Sequence, residues 1–269
     1  MELPIAIIGF GEAASRFARA AGWGASATGF DIDPVRRTAI DDAGIGAAES
    51  ARAAIAERAA ILSLVTAGNA LDAARQSAPH IASGALWLDM NSVAPATKRA
   101  AAAEIEAAGG RYVDVAVLAP VEPARLAVPL LVSGPHATSA CETLRRIGFG
   151  NVRAVGDEVG KASAIKMIRS VMVKGIEALT DEMMAGAEAA GVADEVLASL
   201  DASETAQAWS VRAAYNRERM ATHGLRRAEE MREAARTLRA LGVDPVMTDG
   251  TVQRQQAAAG PRIVARDAA

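Results

Sequence analysis

The stretch Ile5-Ala6-Ile7-Ile8-Gly9-Phe10-Gly11-Glu12-Ala13-Ala14 constrains the fold of this chain more than any other. A short apolar run rich in β-branched residues suits a buried strand, and Gly-x-Gly-x-x-Ala then opens an alanine-rich stretch of helical character. In a strand-turn-helix unit of this kind Gly9 allows a tight turn, Gly11 lets a ligand approach the backbone, and Ala14 keeps the helix close to the strand. The helix start offers free N–H groups and the positive end of its dipole, which together favour a phosphate. Asp31 follows Gly11 by twenty residues and closes the next apolar run. From that position a carboxylate accepts the hydroxyls of an adenine ribose and repels a 2′-phosphate. These residues predict a dinucleotide site that takes NAD, with NADP kept as the alternative because Arg36 and Arg37 stand close by in sequence. The same pattern also fits a nucleotide-free α/β turn in which Asp31 caps a loop.

The first half of the chain alternates apolar runs with amphipathic stretches, the rhythm of βαβ units around a parallel sheet. Strands are expected at Ile5 to Ile8, Ala27 to Asp31, Ala60 to Val65, Leu86 to Asp89, Tyr112 to Val117 and Pro129 to Val132. Helices are expected at Glu12 to Ala21, Pro34 to Ala43, Asn69 to Ser77 and Ala94 to Ala108. After about Gly160 the strands cease, and helical stretches take over with breaks at Gly191-Val192 and Gly242-Val243-Asp244-Pro245. The expected fold class is therefore α/β: a Rossmann domain with a doubly wound, mainly parallel sheet over residues 1–160, then an all-α domain over 161–269 for substrate and dimerisation. The tail from Ala257 onward has no clear amphipathic period and reads as frayed.

Composition narrows the partners. Hydrophobic residues make up 51% and charged residues 23%, with a net charge of −3, which fits a folded chain and gives no overall basic surface for nucleic acid. The single cysteine, Cys141, rules out an intrachain disulfide and fits a reducing, cytoplasmic setting. The opening segment has no basic n-region, glycines interrupt it early, and no apolar run reaches the ~18 residues of a membrane span. His80, His136 and His223 are scattered, so no metal site is indicated. Small molecules remain as the expected partners.

Of 29 basic residues only four are lysine: Lys98, Lys161, Lys166 and Lys174. A lysine retained in such an arginine-rich chain marks a place where guanidinium does not serve, such as a group that must lose its proton, or else reflects chance.

Four segments, in order, resemble the β-hydroxyacid dehydrogenases, the group containing 6-phosphogluconate and 3-hydroxyisobutyrate dehydrogenases. They are the glycine turn, Leu64-Val65-Thr66-Ala67, Asp89-Met90-Asn91-Ser92-Val93-Ala94-Pro95, and Lys166 on the first helix after the sheet. The resemblance runs through most of residues 1–180. It implies that Gly9, Phe10, Gly11, Glu12, Ala13, Asp31, Val65 and Thr66 meet the cofactor. It also likens the Asp89 segment to the family's Asp-x-Ser-Thr-x-x-Pro motif, making Ser92 a substrate ligand with Asn91 beside it; helix capping by either residue is the plainer alternative. Where the family has a glycine pair after the next strand, this chain has Asp114-Val115-Ala116-Val117-Leu118-Ala119-Pro120. That departure looks more like a subgroup termed phosphogluconate-dehydrogenase-like, whose helical C-terminal domain has no assigned role.

Lys166-Met167-Ile168-Arg169-Ser170 resembles the family's Lys-x-x-x-Asn, in which lysine is the general acid/base and asparagine orients substrate; Ser170 stands in the asparagine position. At helical spacing Lys166, Arg169, Ser170, Lys174 and Glu177 form a polar stripe on an otherwise apolar helix, which fits a cleft-lining helix or an ordinary surface helix. A desolvated Lys166 near Arg169 would have its amine pKa lowered and could take a hydroxyl proton. Arg169 is then a candidate clamp for an acidic group. His223, in the second half, is a further substrate-pocket candidate, and Cys141 reads as a packed thiol. The expectation is an NAD-dependent dehydrogenase for a small hydroxyacid-like substrate, forming a homodimer through its helical half. The alternatives are an NADPH-dependent ketone or imine reductase and a dinucleotide-sensing protein without turnover.

Overall fold

A computed structural model describes residues 3–203 and 206–259. By its internal contacts the chain divides into two compact units, Met1–Ser170 and Val171–Ala269. Among the described residues the first holds eight strands: β1 (Ile5–Ile8), β2 (Ala27–Phe30), β3 (Gly46–Ala47), β4 (Ala60–Ser63), β5 (Leu86–Asp89), β6 (Arg111–Val117), β7 (Leu130–Ser133) and β8 (Val152–Gly156). They form one sheet in the order β3-β2-β1-β4-β5-β6-β7-β8, with every pair parallel except β6 and β7. Chain order runs outward from β1 to β2 and β3 on one side and to β4 on the other, which puts the topological switch between β1 and β4. Their carboxyl ends carry Gly9 and Leu64.

Helices α1 (Glu12–Ala21), α2 (Val35–Asp42), α3 (Ala51–Ile55), α4 (Ala70–Ser77), α5 (Pro95–Ala107) and α6 (Ala137–Arg146) connect the strands. All four residues of β1, β4, β5 and β7 are buried, as strands covered on both faces must be. Alternation along β1 and β5 divides the core. Ile5, Ile7 and Leu88 join Phe10, Phe17 and Phe149 in one cluster, while Ala6, Ile8 and Trp87 join Ile55, Ile105 and Tyr112 in the other. Phe17 and Phe149 meet edge to face with ring centroids 5.0 Å apart, fixing α1 against the far end of the sheet.

Four elements go beyond the sequence expectation. Strand β3 is two residues long and β8 has exposed residues at its centre, so neither shows the apolar run that marks a buried strand. Helix α3 is only five residues, begun by Ser50, whose hydroxyl accepts the Ala53 N–H at 3.1 Å. Helix α6 did carry a legible signal, since Ala137, Ala140, Cys141 and Leu144 are buried at helical spacing.

Helix α7 (Lys161–Ala189) begins in the first unit and ends in the second. The second unit continues with α8 (Ala193–Ser203), α9 (Trp209–Ala240) and α10 (Val246–Ala258), and the breaks after α7 and α9 fall where the glycines stand. Within it, the buried Glu182 carboxylate accepts the N–H groups of Met247 and Thr248 at 2.6 and 2.9 Å and the Thr248 hydroxyl at 2.6 Å, capping the first turn of α10. Burial alone would raise this carboxyl, but the hydrogen bonds from Thr248 and Met247 outweigh it and hold its pKa below the ordinary glutamate value. Most of the tail expected to fray, 260–269, lies outside the described residues. No helix among the described residues is long and apolar enough to cross a membrane.

Candidate active site

The glycine turn sits directly against the end of β4. Gly9 has φ +88°, and a Cβ there would lie 2.6 Å from the Leu64 carbonyl oxygen and 2.7 Å from Val65 Cγ1. At Gly11 a Cβ would meet nothing within 4 Å, which leaves the approach to the first turn of α1 open. No side chain caps α1 at Gly11, so its first amides remain available to an anion. This is the cradle that a pyrophosphate requires, and the residues present fit a dinucleotide.

Asp31 is built into the turn. One carboxylate oxygen accepts the Phe10 N–H at 2.6 Å and the other accepts the Asp33 N–H at 2.9 Å. Gly9, Gly11, Asp31, Val65 and Thr66 all line one cleft of about 330 Å³. Phe10 contributes only its backbone, because its ring is fully buried in the core. The cleft also gathers Asp33 and Asp72, whose carboxylates sequence reasoning had not placed there; Asp33 stands beside Asp31 in the chain, whereas Asp72 arrives on α4. Against three carboxylates stands Arg36, 3.9 Å from Asp33. Among the described lining residues the balance is negative.

A buried polar network joins β5, β6 and α5. Lys98, on α5, is 0% exposed; its ammonium donates to the Asp89 carbonyl at 2.6 Å and to Asp89 Oδ1 at 2.8 Å, and it lies 3.4 Å from Asp114 Oδ1. The first two are hydrogen bonds, and the third is an ion-pair contact with a second buried carboxylate. Asp89 Oδ1 also accepts the backbone N–H and the amide of Asn91, and the Tyr112 hydroxyl donates to Asp89 Oδ2 at 2.6 Å. Burial, and then the Asp89 charge, push the Tyr112 phenol far above its ordinary value, so it stays a neutral donor. Asp114 faces the start of α7, where its Oδ2 accepts the Ser163 N–H at 2.9 Å and its Oδ1 the Ser163 hydroxyl at 2.6 Å. Ser133 Oγ accepts the Ala162 N–H at 2.9 Å. Lys98 thus ties the Asn91 turn to the helix that carries Lys166.

The sequence-predicted substrate residues separate into distinct settings. Asn91 is buried, its side-chain amide held by Asp89 and donating to Ser63 Oγ at 2.9 Å, and its side-chain oxygen Oδ1 has no protein partner. Ser92, next to it, is exposed. Lys166 lines a second cleft of about 300 Å³ together with Glu12 and Ala13 of α1, so those two predicted cofactor residues face the lysine. Arg169 is exposed and donates to the Leu118 carbonyl at 3.2 Å, while Ser170 Oγ donates to the Lys166 carbonyl at 2.9 Å. His223 is exposed on α9. Cys141 is buried, which pushes its thiol pKa up and suits packing rather than nucleophilic chemistry. Among the described residues no cluster of His, Cys, Asp and Glu could hold a metal ion.

Comparison with known proteins finds similarity in both halves of the chain. Residues 187–258 match a domain of unknown function (DUF1932). A curated relative, an uncharacterized 28.5 kDa protein from Methanothermus fervidus, is 28% identical over 144 residues; the match covers 54% of this chain and spans about half, 54%, of that protein's length. A conserved hypothetical protein from Sinorhizobium meliloti has a solved structure with 36% identity and a TM-score of 0.64, covering 99% of this chain and 91% of that one. Another, of unknown function and described as structurally similar to 3-hydroxyacid dehydrogenases, is 30% identical with a TM-score of 0.63, covering 94% and 96%. An imine reductase from Myxococcus stipitatus, solved as a variant in complex with NAD+, shares the fold at 17% identity and a TM-score of 0.74, covering 96% and 94%. Residues 4–149, more than half of the chain and including the glycine turn and Asp31, match the NAD binding domain of 6-phosphogluconate dehydrogenase, and the chain belongs to that family.

Proposed function

We propose that the protein is an NAD-dependent oxidoreductase that exchanges a hydride with a small hydroxyacid-like substrate, with Lys166 as general acid/base. The observation that carries this reading is the cleft in which Lys166 and the first turn of the dinucleotide-binding helix meet as neighbouring walls. A bound nicotinamide supplies the hydride acceptor or donor. Lys166, as a neutral amine, takes the substrate hydroxyl proton during oxidation, and as an ammonium returns it during reduction. The network of Lys98, Asp89 and Asp114 holds the Asn91 turn and the first turn of α7 in place around it. Asp31, Asp33 and Asp72 support NAD over NADP.

The test is to titrate the protein with NADH and NADPH, then screen short hydroxyacids with NAD. Lys166→Ala should bind NADH as the parent does and lose turnover by at least about 100-fold, the scale of a positioned acid/base. Retained turnover would remove Lys166 from the role, and a folded protein that binds neither nucleotide would end the dehydrogenase reading.

A second reading, an NADPH-dependent ketone or imine reductase, is favoured by one feature: Leu118-Ala119-Pro120 replaces a glycine pair with an apolar loop after β6. Tighter binding of NADPH than NADH, with reduction of uncharged ketones or imines, would support it. A dinucleotide sensor would bind nucleotide and show no turnover for Lys166→Ala to abolish. We also propose a homodimer, supported by the exposed aliphatic row Ile165, Ile168, Val171, Met172, Ile176 and Leu179 on α7. Light scattering that returns a monomer mass would exclude it.

A further inference from the structure

We propose that Arg16 selects an acidic substrate in the Lys166 cleft, as a second cation facing the reacting group; the inference rests on reading Lys166 as the acid/base. Besides Lys166, Arg16 is the one cationic side chain among the described residues that line this cleft of about 300 Å³, whose apolar walls include Leu64, Met90, Val117 and Val121. It lies on α1 one turn beyond Glu12, with its side chain 37% exposed.

The loop after β6 is poor in donors for a substrate carboxylate. The loop after β6 reads Leu118-Ala119-Pro120, without a glycine pair and with no N–H at Pro120. Arg169, the clamp suggested by sequence, is exposed and directs a donor to the Leu118 carbonyl at 3.2 Å. Arg16 instead reaches the cleft from the dinucleotide-binding helix, and its planar fork suits a carboxylate.

Two carboxylates of the protein face Arg16: Glu12 at 2.6 Å and, from the loop, Glu122 at 4.0 Å. Glu12 is largely exposed, so this pair is weak and exchangeable. A ligand carboxylate that enters against the apolar wall competes with Glu12 for the same guanidinium, with less water around it. Glu12 is therefore the resting partner, and Arg16 changes partner when an acidic substrate arrives.

The experiment is calorimetric titration of the NADH-loaded protein with isobutyrate and with its uncharged isostere isobutyramide. The parent should bind the acid at least tenfold more tightly than the amide. Arg16→Gln should abolish that preference, Arg16→Lys should restore part of it, and Glu12→Gln should tighten isobutyrate by removing its competitor. A purely structural role for Arg16 does not give the opposite signs of the Arg16 and Glu12 variants. Thermal unfolding of each variant checks that the fold survives. Equal affinity for acid and amide in the parent, including no binding of either, overturns the proposal, as does a preference that survives Arg16→Gln. Because the readout is binding, acid preference without turnover by any hydroxyacid sinks the catalytic reading of Lys166 and leaves Arg16 standing.

Discussion

Asp31 accepts the backbone N–H of Phe10 at 2.6 Å, so the carboxylate expected to hold the adenine ribose also holds the glycine turn that receives the phosphates. Asp31→Ala should weaken NADH binding roughly 10- to 100-fold, since a hydrogen bond to a charged group contributes about 1.5–3 kcal/mol. NADPH, which the carboxylate repels, should lose less, so the NADPH-to-NADH affinity ratio rises. Fluorescence titration with both nucleotides checks this, and an unchanged ratio would remove Asp31 from cofactor choice.

The turn is also sensitive at Gly9. A methyl group there meets the Leu64 carbonyl and Val65 while the backbone stays at positive φ. Left-handed strain of about 1–2 kcal/mol and overpacking of about 1–3 kcal/mol together place Gly9→Ala roughly 2–5 kcal/mol below the parent. Urea unfolding measures the loss, and a variant within 0.5 kcal/mol, about the scatter of a surface substitution, would mean that the turn relaxes freely.

Removing the shared ammonium should be costly. Lys98→Met leaves Asp89 and Asp114 buried without it, and breaking a buried pair in this way costs about 3–5 kcal/mol. Lys98→Arg should not rescue, because the larger head must enter a fully enclosed slot. Adding Asp89→Asn to Lys98→Met should destabilise by less than the sum of the single changes, with a coupling of about 0.5–3 kcal/mol. Strict additivity in unfolding experiments would show that the two groups do not act as a pair.

Glu182 gives the helical unit an acid limit. Its pKa is depressed in the folded state, so its contribution is fully present above the ordinary glutamate range and fades as pH falls through the lowered value. Glu182→Gln should be less stable than the parent at neutral pH, and the gap should close as pH drops below about 4.3, the unperturbed value. Thermal unfolding across pH 3 to pH 7, roughly the span over which a glutamate titrates, checks the sign. A gap that widens in acid would contradict it.

How much of this was legible in the sequence depends on whether a signal was local. Gly9, Gly11 and Asp31 could be placed because strand, turn and helix follow one another within one βα unit, and β1, α1 and β5 have the expected limits. Lys98 was only one of four rare lysines, and nothing local set it apart, since its partners Asp89 and Asp114 come from two strands that only the sheet makes neighbours. Asp72 and Arg16 show no motif. Each sits on an ordinary amphipathic helix, and only the packing of that helix decides which cleft its side chain enters. Short elements such as β3 and α3 carry too few residues to display a period.

The capping of α7 by Asp114 and Ser133 bears on how this chain can be recombined with its relatives. Ala162 and Ser163 stand beyond the point where composition changes, yet their N–H groups belong to acceptors on the sheet. A chimera joined at Gly160 would give those acceptors a foreign helix start, whereas one joined after Ser170 keeps the native caps, Lys166 and the lysine's own helical turn as a single transplantable piece.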